Sequence, residues 1–117
     1  MQYLLAVFID EAAITSISSG EQKTLDRDSI AYDEELKRRG HYLHSNALSP
    51  PEAGVTVRAR NGTFSTTDGP FAETKEHLGG YILVEARDMN EAIGLAANIP
   101  VGQFGCVEVR PIMTMPQ

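Results

Sequence analysis

The sequence predicts an α+β sandwich in which helices lie over one face of an antiparallel sheet. Three observations carry this expectation: an apolar run at residues 2–10, a capped amphipathic segment from Ser18 to Gly40, and an Asn61-Gly62 turn between two alternating segments. The elements read in order as strand, helix, a strand and hairpin, strand, helix, strand. At 117 residues the chain is expected to form one domain, 1–117, with room for a core but not for separate catalytic and binding domains.

In the first strand Tyr3, Leu5, Val7 and Ile9 alternate with Leu4, Ala6 and Phe8, so both faces are apolar, as in a central strand. The run has no basic segment before it and is far too short to span a bilayer. Ser18-Ser19-Gly20-Glu21 forms a capping-box pattern, and Leu25, Tyr32 and Leu36 share a helical face up to the stop at Gly40. Asp33, Glu34 and Glu35 precede Lys37, Arg38 and Arg39, which predicts three i to i+4 ion pairs on a solvated face. Residues 41–48 form the second strand, with Tyr42 and His44 expected on one face and His41 and Leu43 on the other.

Val55, Val57 and Ala59 then alternate with Thr56, Arg58 and Arg60, and Asn61-Gly62 returns the chain antiparallel through Thr63–Thr67, both turn residues tolerating positive φ. Residues 80–86 read as an apolar strand. Asp88 and Glu91 cap a short helix limited by Pro100, and Cys106 to Arg110 supplies the last strand. With apolar residues on both faces of the strands near 3–9 and 81–86, helices on one side leave the other to be covered; a homodimer is the simplest expected cover, and a ligand groove on that face is the alternative.

The densest local pattern is Asp68-Gly69-Pro70-Phe71-Ala72-Glu73-Thr74-Lys75-Glu76, followed by Gly79-Gly80-Tyr81. Asp68 is expected to cap a turn, Pro70 to start a short helical turn through Glu76, and Phe71 to bury against the sheet. This segment, with Val107-Glu108-Val109-Arg110-Pro111, resembles the DGPF subgroup of the YCII-related proteins, and weaker similarity extends over nearly the whole chain. The resemblance implies a ferredoxin-like fold that pairs into a dimeric α+β barrel. Some relatives look connected with alternative sigma-factor systems. The wider family has been thought enzymatic because of a histidine and aspartate in a cleft; Asp68 matches that aspartate by motif, while the histidine has no assigned counterpart among His41, His44 and His77.

The net charge of −6 disfavours nucleic acid and anionic membranes as partners. A single cysteine, Cys106, excludes an internal disulfide and fits a cytoplasmic protein. Serine-nucleophile, phosphate-loop and dinucleotide patterns are absent, so no cofactor is expected, and no histidine spacing suits a metal. Two functions remain. The first is a small-molecule-binding protein or acid/base enzyme acting on a small anionic metabolite in a cleft of the dimer. There Asp68 and His44 are the candidate catalytic pair, and Arg58, Lys75 and Glu73 are the candidate substrate contacts. The second is a noncatalytic interaction or regulatory subunit linked to a sigma-factor system.

Overall fold

The computed structural model describes residues 1–115. Its main sheet has four antiparallel strands in the order β2-β5-β1-β6: β1 (Gln2–Asp10), β2 (Tyr42–Ala47), β5 (Glu76–Glu85) and β6 (Gly105–Pro111). Two helices, α2 (Ser19–Arg38) and α3 (Met89–Ala97), connect β1 to β2 and β5 to β6. This arrangement is compatible with a ferredoxin-like fold. A short helix, α1 (Glu11–Thr15), directly follows β1, capped by the Asp10 carboxylate on Ala12 N–H at 3.1 Å.

Local chemistry sets the helix starts. Ser18 and Glu21 complete the capping box of α2, and Asp88 accepts from Glu91 N–H at the start of α3. Of the three expected i to i+4 pairs on α2, Arg39–Glu35 forms at 2.9 Å. Lys37 takes Glu34 at i−3, and Asp33 accepts the Ser45 hydroxyl instead. Both helices cover the same sheet face. Tyr3, Leu5 and Val7 of β1 and Ile82 and Val84 of β5 pack there with Tyr32 and Leu36 of α2 and Ala92, Leu95 and Ala96 of α3. Leu5, Leu36 and Val84 are fully enclosed, each worth about 1.5–3 kcal/mol of transfer free energy. The Tyr32 hydroxyl donates to Leu95 O at 2.6 Å, tying α2 to α3 inside this core.

Two irregularities aim the strands. Gly79 is skipped where β5 passes from Gly80↔Val7 to Leu78↔Phe8, and a side chain there would overlap that of Ile9. Leu43 is skipped on β2, where Tyr42↔Val84 is followed by His44↔Leu83. The second bulge corrects the expected parity: Tyr42 packs on the helix-side core, whereas His44 joins the opposite face.

Strands β3 (Val55–Arg60) and β4 (Thr63–Asp68) form a separate hairpin, turned by Asn61 at φ 50° and Gly62 at φ 81°. Gly69 N–H to Gly54 O and Thr56 Oγ1 to Gly69 O close its base. Every other residue of the two strands is exposed. The chain's radius of gyration is 16.2 Å, against about 13 Å for a compact domain of this length, because the hairpin projects as an arm. The expected helical turn after Asp68 does not form; residues 69–75 are bends and extended chain, and β5 begins at Glu76 rather than 80. Phe71, expected to bury, is 80% exposed.

Candidate functional site

Between α2 and the helix-side face of the sheet lies a cavity of about 590 Å³. Val7 and Ile9 of β1, Ile82 of β5 and Ala47 of β2 give it an apolar wall, and Ile14, Ile99 and Val101 add to the apolar lining. The opposite wall is α2, whose residues at Gln22, Asp26, Ser29, Ile30 and Asp33 follow the helical repeat along one side. Gly79 and Gly80 belong to its lining, and a Cβ at Gly80 would stand 2.9 Å from Asn46 O. Gly80 therefore lets β5 lie close against β2 at the cavity edge, while Gly79 leaves room for the Ile9 side chain of β1.

Asp33 is the most elaborately held polar group in this lining. Ser45 Oγ lies 2.8 Å from the Tyr42 hydroxyl and donates to Asp33 Oδ2 at 3.1 Å. Because the serine hydrogen is directed at the carboxylate, the Tyr42 hydroxyl is the donor to Ser45. Lys37 lies over the Tyr42 ring at 4.9 Å and spends its charge on Glu34.

The residues expected to form an anion site are distributed elsewhere. Asp68 ends β4, and among the described residues its carboxylate has no hydrogen-bond or ion-pair partner. Lys75 is 84% exposed and lies 3.7 Å from Asp10, a loose surface pair. Glu73 is exposed in the connecting segment. Arg58 and Arg60 are exposed on the polar face of the arm, opposite Ser65 and Thr63, with no acidic partner among the described residues. None of these five side chains lines the cavity.

His44 does belong to a small polar constellation. Its Nδ1 lies 2.8 Å from the Tyr81 hydroxyl, and Asn46 Nδ2 donates to that same oxygen at 3.2 Å. The phenol oxygen, accepting from Asn46, keeps one lone pair and its own hydrogen, so it pairs with His44 Nδ1 in either tautomer of the ring. Tyr81, which the sequence marks only as the end of Gly79-Gly80-Tyr81, and Asn46, which it does not mark, are joined by their register against each other across the β2 bulge. Of the other histidines, His41 Nδ1–H donates to Glu85 O at 2.8 Å and His77 lies 3.4 Å from Glu11. The described residues contain no group of three side chains able to hold a metal ion, and no helix among them is long and apolar enough to cross a membrane.

The model of the YCII-related domain matches residues 1–116. The chain belongs to the YCII-related family. This YCII-related protein is also 32% identical over 114 residues to an uncharacterised protein of Rhizobium meliloti (strain 1021), a match covering 96% of this chain and 92% of the relative.

Proposed function

We propose that this YCII-related protein, which we assign to the DGPF subgroup on its 68–76 motif, is a cytoplasmic small-molecule-binding protein that holds its ligand between α2 and the sheet. The observation that carries the reading is the cavity itself: about 590 Å³, within the roughly 300–1,000 Å³ of small-ligand sites, apolar where β1 and β5 line it and mixed along α2. Ser29→Trp places an indole in this space from the helix wall. In a thermal-shift screen of fragments at millimolar concentration, wild type is expected to rise in midpoint with a subset of compounds and Ser29→Trp with none of them. Equal shifts in both proteins, or none in wild type, defeat the reading.

The arm favours a second element of function, self-association. Val55, Val57, Ala59 and Phe64 share one of its faces, and Val57 and Phe64 are 61% and 74% exposed. A two-stranded ribbon is marginal in water without a packing partner. The sheet face opposite the helices offers a row of Leu4, Ala6, Phe8 and Leu83 with no helix over it. We propose a homodimer in which each arm lies on its partner's uncovered face, an arrangement related to the dimeric α+β barrel. Such pairing is the route by which Asp68, on the apolar face of the arm, and Glu73 and Lys75 in the segment after it would approach His44 of the other copy, as an acid/base site for a small anion requires, while Arg58, on the arm's other face, would stay outside that contact. Light scattering is expected to give a dimer for wild type and a monomer for Phe64→Lys with Val57→Lys. A monomeric wild type removes this reading and leaves the exposed arm to the alternative of an interaction or regulatory subunit, including one in a sigma-factor system.

A further inference from the structure

Resting on the reading that the cavity under α2 binds a small molecule, we infer that its ligand is an organic cation: a protonated amine or quaternary ammonium on an apolar body. The only charged side chains lining the cavity among the described residues are Asp26 and Asp33; no lysine, arginine or histidine lines it. An anion entering this space meets repulsion from both carboxylates and no countercharge. A cation meets the reverse, most strongly at the half-buried Asp33, since Asp26 is exposed and accepts from Gln22 Nε2 at 3.0 Å.

The spacing of the acids selects the kind of cation. Asp26 and Asp33 are seven residues apart on one helix, about 10.5 Å along its axis, whereas a bare divalent ion needs its oxygens within about 2.6 Å. The two carboxylates therefore cannot clasp one metal ion together. Gln22 and Ser29 continue the polar edge beside them, and Val7, Ile82 and Ala47 form the apolar edge opposite. A ligand with an ammonium at one end and hydrocarbon along its length satisfies both edges. Asp33 is the better anchor. Ser45 holds its Oδ2 at 3.1 Å, Tyr42 in turn holds Ser45, and Oδ1 accepts from no described residue. Lys37, the nearest lysine in sequence, is paired with Glu34 at 3.1 Å and forms no ion pair with Asp33.

Three isosteric probes separate charge from shape: cyclohexylmethylamine, cyclohexylmethanol and cyclohexanecarboxylate, titrated into the full chain by calorimetry at neutral pH. A charge-assisted hydrogen bond predicts that the amine binds about tenfold or more tighter than the alcohol, with the carboxylate weakest. Asp33→Asn should remove most of the gap between amine and alcohol, weakening the amine by more than the alcohol. Asp26→Asn, which leaves the Ser45 contact in place, should narrow the gap in the same direction. Carboxylate binding as tight as amine binding overturns the inference, as does an amine-to-alcohol ratio unchanged in both variants. In those cases the cavity reading still stands if Ser29→Trp abolishes binding of every probe. If none of the three probes binds wild type, both readings fall.

Discussion

Tyr32→Phe tests the core at the point where α2 meets α3, and it separates a hydrogen bond from the packing around it. The phenyl ring keeps its place among Leu36 and Leu95, while the 2.6 Å bond to Leu95 O is lost. That carbonyl retains only a long 3.4 Å contact from Asn98 N–H. Leaving a buried acceptor this poorly satisfied costs about 1–2 kcal/mol, a midpoint lower by roughly 4–8 °C for a domain of this size. The dependence on pH supplies an independent check. Burial pushes the Tyr32 phenol above its ordinary value, with Arg39 lowering it and Glu35 raising it by lesser amounts. A raised folded-state value means the stabilisation is complete below the unfolded value of about 10, and is lost as pH rises through the folded value. Wild type should therefore lose stability relative to Tyr32→Phe above about pH 10, by up to about 1.4 kcal/mol per unit. Other tyrosines titrate in both proteins and cancel in the difference. Urea unfolding of the two proteins at pH 7, 10 and 11 measures the gap directly. Equal stability at pH 7, or a gap that stays constant to pH 11, refutes the role given to this hydroxyl.

Gly80→Ala should destabilise by about 1–3 kcal/mol, because the new Cβ stands 2.9 Å from Asn46 O and 3.3 Å from Ala47 Cα, both backbone atoms of β2; unchanged urea unfolding would contradict that close approach. Cys106 should alkylate slowly for an exposed thiol. Local desolvation, the hydrogen bond to Glu76 at 3.4 Å and the nearby Glu108 charge all push its titration up, which lowers the thiolate fraction near pH 8. Glu76→Gln should then speed iodoacetamide labelling, and a rate that is unchanged or lower would show that Glu76 does not govern the thiol.

The parts of this fold that were legible in the sequence are those decided within a few residues. Ser18 with Glu21, Asp88 with Glu91, and Asn61-Gly62 each name a cap or turn whose hydrogen bonds close locally, and each forms as read. The 68–76 segment failed for the opposite reason. Asp-Gly-Pro fits a helix start or a plain turn equally well, and the choice is made by distant pairing: Ile9↔His77 and Asp10↔Glu76 draw the chain into β5 four residues early, which takes Glu76, the end of the expected turn, into the strand.

The same contrast between local and distant control governs the candidate site. Counting by twos from Tyr42 places His44 on the helix side, but the extra Leu43 on β2 reverses every residue after it. No residue type announces that bulge; it follows from how β2 must register against β5 if Tyr42 is to reach the core and Ser45 is to reach Asp33. The reversal puts the chain's polar chemistry on two sides of one sheet. His44, Asn46 and Tyr81 face away from the helices, while Tyr42, Ser45 and Asp33 stand beside the cavity under α2. Gly79 and Gly80 are the motif residues that serve the cavity, and they do so by bulk they lack rather than by charge they carry. The acids and bases of 68–76 can act in a site only where a partner's surface comes to them, so the oligomeric state decides whether that segment is chemistry or scaffold.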